Sequence, residues 1–278
     1  MRIDESIQKG AAVLAASSDT ALLDAQLLLA NALKVSSSYL YTWPERILTL
    51  EQEKAFNALL DARVLGEPIA YLLGVQEFWS LEFNVSPCTL IPRPDTEVLV
   101  ELALEVLDGI KKPSVLDLGT GTGAIALSIA SERSDAQVQA VDVVDEAVDL
   151  AKGNAKKLCL DAEIYQSSWF DNVTFSEFDL IVSNPPYIDK KDHHLNEGDV
   201  RYEPQSALVA GKAGFADIQT IAEEAVGYLK SSGWLILEHG FEQSERCKAI
   251  LFSLGYQCIA THKDYSGNNR VTMGRRPN

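Results

Sequence analysis

Two short stretches carry residue types that suit chemistry: Asn184-Pro185-Pro186-Tyr187, and Asp117-Leu118-Gly119-Thr120-Gly121-Thr122-Gly123. An amide side chain followed by two prolines makes a stiff corner, because each proline holds itself and its predecessor extended. The Asn184 side-chain oxygen and the Pro185 backbone carbonyl are then two acceptors that can grip both hydrogens of an NH₂ group. Tyr187 is flat enough to stack on a planar amide. A nitrogen held in this way can be aimed at an electrophile, and such positioning is worth on the order of 7–11 kcal/mol. Pre-aimed polar groups add roughly 3 kcal/mol each. Catalytic and substrate-gripping duties therefore fall on Asn184, Pro185, Pro186 and Tyr187. The competing reading is an ordinary turn at a strand end, which Asn-Pro also favours.

The glycine stretch reads as a cofactor loop. Gly119, Gly121 and Gly123 permit a tight turn, and the helical AIALSIASE that follows offers free N–H groups at its start. By itself this fits any nucleotide-like cofactor, and equally a strand–helix turn without a ligand. Asp142, about 20 residues further on, can accept ribose hydroxyls, as an acid does in NAD enzymes too. Asp117 tips the balance. A carboxylate just before the turn repels a pyrophosphate but tolerates the cationic amino-acid end of S-adenosylmethionine, which carries no phosphate. Trp169 falls after the third strand, where an adenine would lie, although an aromatic there also suits a core. The expected cofactor contacts are Asp117, Gly119, Thr120, Gly121, Thr122, Gly123, Asp142, Trp169 and Asn184.

The surrounding pattern supplies the elements that must position these groups. From Ser114 onward, short apolar runs (SVLDL, VQAVDV, AEIYQ, FDLIVSN, GWLILEHG, YQCIATH, RVTMGR) alternate with helical stretches. Buried parallel strands read as continuous apolar runs joined by crossover helices, so the expectation is a doubly wound, seven-stranded, mostly parallel α/β sheet. KDYSGNN holds no crossover helix, so the last two strands should pair antiparallel. In such sheets ligands bind at the carboxyl ends of strands, which places Asn184 and the glycine turn in one cleft.

Residues 1–73 read as a small helical domain for substrate docking. Ser18 or Asp19 is the expected cap of ALLDAQLLLANAL, and Thr49 with Gln52 stands at capping-box spacing. Residues 74–94 read as a β-hairpin and linker, where Pro92 and Pro94 forbid regular structure, and 95–278 as the catalytic domain.

Composition excludes several classes. The 278 residues are 46% hydrophobic, which fits a globular chain rather than a disordered one. There is no leader-like N-terminus and no run long enough to span a membrane, so a cytoplasmic location is expected; the expected oligomeric state is a monomer. Lys and Arg total 24 against 40 Asp and Glu, a net charge of -16. Direct nucleic-acid binding is disfavoured by that balance, since phosphate neutralisation needs clustered cations. Cys88, Cys159, Cys247 and Cys258 show no ligand spacing, and His193-His194 sit in a polar loop, so no metal is expected.

DLGTGTG followed by SNPPYI, with IPRPDTE upstream and RYEP at Arg201–Pro204, resembles the protein-(glutamine-N5) methyltransferases of peptide chain release factors. The resemblance covers nearly the whole chain. It implies an S-adenosylmethionine-dependent enzyme acting on the glutamine of a Gly-Gly-Gln motif in a release factor. Gly119 to Gly123 would bind the cofactor, Asp142 its ribose and Trp169 its adenine, with Asn184 to Tyr187 on the glutamine. NPPY is shared with adenine-N6 methyltransferases of DNA and RNA, so that alternative stays open. A nicotinamide-dependent dehydrogenase and a non-enzymatic module fit less of the pattern. The resemblance assigns no mechanical role to Arg93, Glu97 or Glu203.

Overall fold

The structure, a computed structural model, describes residues 1–190, 192, 195 and 198–277. They divide into two compact units: Met1–Val75 with the 3-10 turn Gly198–Tyr202, and the described residues of Gln76–Leu195 and Glu203–Asn278.

The first unit is helical: α1 (Ile3–Leu14), α2 (Ala21–Leu33), α3 (Ser37–Thr42), α4 (Leu50–Val64) and α5 (Ile69–Leu73). Leu14, Leu28, Leu29, Phe56 and Leu60 meet in its core. The Thr49–Gln52 capping box forms as expected, with side chain and backbone bonded reciprocally at 3.2 and 3.0 Å. The start of α2 differs from expectation. Thr20, not Ser18 or Asp19, is the N-cap, and it makes no capping bond. Ser18 and Thr20 instead donate to the buried Asp24 at 2.8 and 2.9 Å, where Arg63 also pairs with it at 2.8 Å. A buried carboxylate outcompetes helix N–H groups for those hydroxyls, because it must be paired. Arg63 also reaches Asp199, and Arg201 and Tyr202 donate to the Leu65 carbonyl, which ties the 3-10 turn to the helices.

The second unit opens with the hairpin β1 (Val75–Phe78) and β2 (Leu81–Asn84). Trp79 and Ser80 both have positive φ, the backbone of a two-residue hairpin turn. Glu97 accepts the Trp79 backbone N–H at 2.9 Å and Glu132 accepts the indole N–H at 2.9 Å, offsetting the strain. Next come α6 (Glu97–Val106), β3 (Ser114–Leu118), α7 (Ala124–Glu132), β4 (Gln137–Asp142), α8 (Asp145–Leu158), β5 (Glu163–Gln166) and β6 (Phe178–Ser183). Beyond a short parallel pair, β7 (Ile188–Asp189) with β8 (Val209–Ala210), lie α11 (Ala216–Tyr228), β9 (Leu229–Glu238), α12 (Ser244–Ser253), β10 (Gln257–Lys263) and β11 (Asn269–Arg275). The short helices Gln205–Leu208 and Gly211–Gly214 flank β8 and are counted as α9 and α10.

The main sheet has seven strands in the order β10-β11-β9-β6-β3-β4-β5. Its central strands are parallel and β11 pairs antiparallel with both β9 and β10, as the short KDYSGNN link requires. Apolar clusters cover both faces, one including Leu99, Leu127 and Val115, the other Leu116, Ile181 and Ile218. Among the described residues, no helix is long and apolar enough to cross a membrane.

Candidate active site

Register fixes which residues meet. Leu118 pairs with Val141 on one side and Ser183 on the other, and Ser183 pairs with Leu237. The next residue of each strand therefore falls in one row: Asp142, Gly119, Asn184 and Glu238 emerge side by side from β4, β3, β6 and β9. This is the point where the connections diverge to opposite sides of β3, the usual ligand crevice of such sheets.

On the β3–β4 side the site is built from backbone. Gly119 and Thr120 both donate to the Val141 carbonyl at 2.9 Å. Gly119 takes φ +71°, and a side chain there would meet the Trp169 ring at 3.4 Å. Asp142 accepts from Gly121 N–H at 2.9 Å and Val144 N–H at 3.0 Å, one bond on each oxygen. A carboxylate has about four lone-pair positions, so two remain for hydroxyls of a ligand. Burial raises the Asp142 pKa against these two bonds.

Asp117 lies beneath the turn and does not line the cavity. It is fully buried, accepting the Thr120 hydroxyl at 2.7 Å and Ala126 N–H at 3.3 Å. Burial lifts its pKa to about 7, with the Asp142 charge adding to the effect. Both bonds fall on Oδ2 and hold the loop from below, while Oδ1 has no hydrogen-bond partner in the protein.

Trp169 adopts φ +46°, uncommon for a bulky residue. Its carbonyl accepts from Ser167 Oγ at 2.9 Å, and its indole N–H stabilises the Asp217 carboxylate. The ring is thereby pinned beside Gly119.

On the β6 side, Asn184 donates through Nδ2 to Thr96 Oγ1 at 3.4 Å. Asn184 and Pro186 line the cavity, whereas Pro185 and Tyr187 do not. The Tyr187 hydroxyl donates to Glu238 Oε1 at 3.3 Å and its carbonyl accepts from Gln243 at 2.8 Å, which anchors the residue beside the corner. Burial raises the Tyr187 pKa, and the Glu238 charge raises it further.

The cavity between these walls has a volume of about 300 Å³, at the small end of ligand sites. Of the described residues lining it, Arg93 is the one cation and it is paired with Glu203 at 2.8 Å, while Asp142 and Asp217 are acidic. Such a lining suits a nucleoside cofactor without phosphates. Glu203 also accepts Ile91 N–H at 3.1 Å, so RYEP and IPRPDTE are bonded to each other.

Sequence reading missed Thr96, Asp217 and Glu238. Glu238 had a signal: it is an acid ending the apolar run Trp234–Leu237, at the end of the sheet where ligands bind. Thr96 and Asp217 had none, because their partners lie 88 and 48 positions away. His193 and His194 lie outside the described residues.

The chain is similar to known proteins over nearly its whole length. The Methyltransferase small domain family matches residues 96–199, and the PrmC N-terminal domain family matches residues 5–74. The chain is 55% identical over 275 residues to a release factor glutamine methyltransferase of Shewanella oneidensis, covering 98% of this chain and 96% of that one. It is 50% identical to the Escherichia coli protein of the same name, over 91% of each chain. A methyltransferase from Pyrococcus furiosus shares the fold, with a TM-score of 0.55, 21% identity, and coverage of 78% of this chain and 98% of that one.

Proposed function

Since the chain belongs to the release factor glutamine methyltransferase family, we infer that it moves a methyl group from S-adenosylmethionine to the side-chain amide nitrogen of the Gly-Gly-Gln glutamine in peptide chain release factors. The observation that carries the reading is the row of Gly119, Asp142 and Asn184, a nucleoside cradle next to an amide-holding corner.

When bound, S-adenosylmethionine supplies an already activated methyl group on a sulfonium. The remaining difficulty is the acceptor, whose lone pair is delocalised into its carbonyl. Asn184 Oδ1 and the Pro185 carbonyl take the two N–H hydrogens and turn the lone pair towards the methyl group. No strong base is needed, because the nitrogen becomes acidic only as the new C–N bond forms and the methyl–sulfur bond breaks. The surplus proton then passes to solvent, leaving a neutral N-methyl amide and the neutral thioether. Two pre-placed acceptors cost no reorganisation at that moment. Gly119 to Gly123 and Asp142 hold the cofactor, Trp169 bounds its adenine, and Pro186 closes the substrate side.

The helical unit, residues 1–73, serves as a docking surface for the release factor. Leu22, Leu23, Trp43, Ile47 and Leu50 are large apolar side chains left exposed on it. The enzyme works as a cytoplasmic monomer, and its net charge of -16 disfavours nucleic acid as a direct partner.

Incubation with labelled S-adenosylmethionine and a purified release factor, a DNA duplex or an RNA tests the reading. Mass spectrometry should find one added methyl on the Gly-Gly-Gln glutamine. Label on nucleic acid alone rejects it.

A further inference from the structure

Resting on the methyl-transfer reading above, we propose that Gln243 is a positioning residue for the reaction. Through one bond to the Tyr187 carbonyl it fixes the far end of the Asn184–Tyr187 corner, and with it the Pro185 carbonyl that holds the substrate nitrogen.

The corner is a stiff segment that needs holding at both ends. At its near end, Ser183 closes β6 in register with Leu118 and Leu237, and its hydroxyl donates to the Leu118 carbonyl at 2.7 Å. Pro185 and Pro186 follow, and neither has an N–H with which to anchor the chain. Their rings fix φ, and Pro186 keeps Pro185 extended. A shift at Tyr187 is therefore carried back to the Pro185 carbonyl instead of being absorbed by rotation. Beyond Tyr187, β7 is only two residues long.

Gln243 holds that far end. Its Nε2 donates to the Tyr187 carbonyl at 2.8 Å, while its Oε1 accepts the Gly240 N–H at 2.9 Å. Each end of the amide meets a backbone group of opposite character, so its orientation is decided. Gln243 stands at the N-cap of α12 but makes no side-chain capping bond there, which leaves the side chain for Tyr187. The turn that carries it is itself fixed. Gln243 N–H donates to the Gly240 carbonyl at 2.9 Å, and Nδ1 of the buried His239 donates to the same carbonyl at 2.8 Å. The other His239 nitrogen, Nε2, accepts the Thr272 hydroxyl at 2.7 Å, which ties the turn to β11.

Gly214, at the end of α10, closes the opposite side of this bond. It is buried with φ +83°, and a Cβ built there would overlap the Tyr187 carbonyl oxygen and stand 2.7 Å from Gln243 Nε2. A bare backbone thus packs directly on the donor and the acceptor and keeps water from competing for them.

Gln243 could also serve only to close its own turn on Gly240, and Gln243→Glu separates the two roles. Glutamate has the same shape and keeps an acceptor for the Gly240 N–H, but at pH 8 it sets an oxygen against the Tyr187 carbonyl in place of a donor. With a release factor as substrate, kcat should fall about 10- to 100-fold, the scale of a reacting group misplaced by roughly 1 Å. The KM for the release factor, and the S-adenosylmethionine affinity measured by calorimetry, should stay at wild-type values. Gly214→Ala pushes on the same carbonyl from the other side and should lower kcat with the same selectivity.

Wild-type kcat in Gln243→Glu overturns the proposal, because a residue that only closes its turn would tolerate that change. A loss confined to KM or to cofactor affinity overturns it too. Wild-type kcat in Gly214→Ala does the same, and that variant decides the matter even if Gln243→Glu unfolds. Failure of the wild type to methylate the release factor counts against the functional reading instead.

Discussion

On the Gly119–Gly123 side of the cavity the wall is a glycine turn whose Gly119, Thr120 and Gly121 amides are bonded to Val141 and Asp142 of the adjacent strand β4. On the Asn184 side the decisive group is one side-chain oxygen, and the other end of that amide is bonded to Thr96, 88 residues away in the chain. The first wall is pre-formed by φ angles that glycine makes accessible. The second is pre-formed by a hydrogen bond between side chains from distant segments. A backbone-built site should tolerate changes behind it and resist none in front. A side-chain-built site should fail when its backing changes, even though nothing touching the ligand has moved.

The largest expected effect is at the corner itself. Asn184→Ala removes one of two acceptors, and kcat should fall about 10²- to 10³-fold, the range for losing one pre-aimed group. Cofactor affinity, measured by calorimetry, should stay near wild type; a parallel collapse would erase the distinction between the walls. Gly119→Val attacks the other wall. A β-branched residue at φ +71° against Trp169 carries strain of about 1–3 kcal/mol, so cofactor affinity should drop about 10- to 100-fold. Wild-type affinity in that variant would mean the turn does not depend on glycine.

Asp142→Asn is milder. One backbone N–H then faces an amide donor, and a lost buried bond of about 1–3 kcal/mol predicts roughly tenfold weaker cofactor binding or more. The smallest effect concerns stability. Asp117 is fully buried with its pKa lifted to about 7, so the folded chain holds a proton that the unfolded chain has released by then. Its contribution is complete below the ordinary aspartate range and disappears as pH rises through about 7. Asp117→Asn carries no such proton, so its thermal midpoint should fall less than that of the wild type between about pH 4 and 7. Parallel slopes in cofactor-free protein would show that Asp117 is ionised throughout.

The same contrast explains what the sequence made legible. Continuous apolar runs at SVLDL and FDLIVSN announce buried parallel strands, and their order fixes where the glycine turn and Asn184 emerge. The capping box at Thr49 is local and was readable for that reason. The start of α2 was not, because Asp24 draws the hydroxyls of Ser18 and Thr20, and its pairing with Arg63 exists only after α2 and α4 pack. The partner of the Tyr187 hydroxyl follows the same rule, since Glu238 lies 51 residues away in the chain. Glu97 and Glu203 gain their roles likewise, as acceptors for Trp79 N–H and for Ile91 N–H with Arg93.

The most direct measurement is a crystal structure of the enzyme with the demethylated cofactor product and a release factor bearing Gly-Gly-Gln. The account predicts the glutamine side-chain nitrogen within about 3.2 Å of both Asn184 Oδ1 and the Pro185 carbonyl, with Nδ2 still on Thr96. A glutamine nitrogen out of reach of both oxygens, or an Asn184 amide turned with Nδ2 towards it, contradicts the account at its centre.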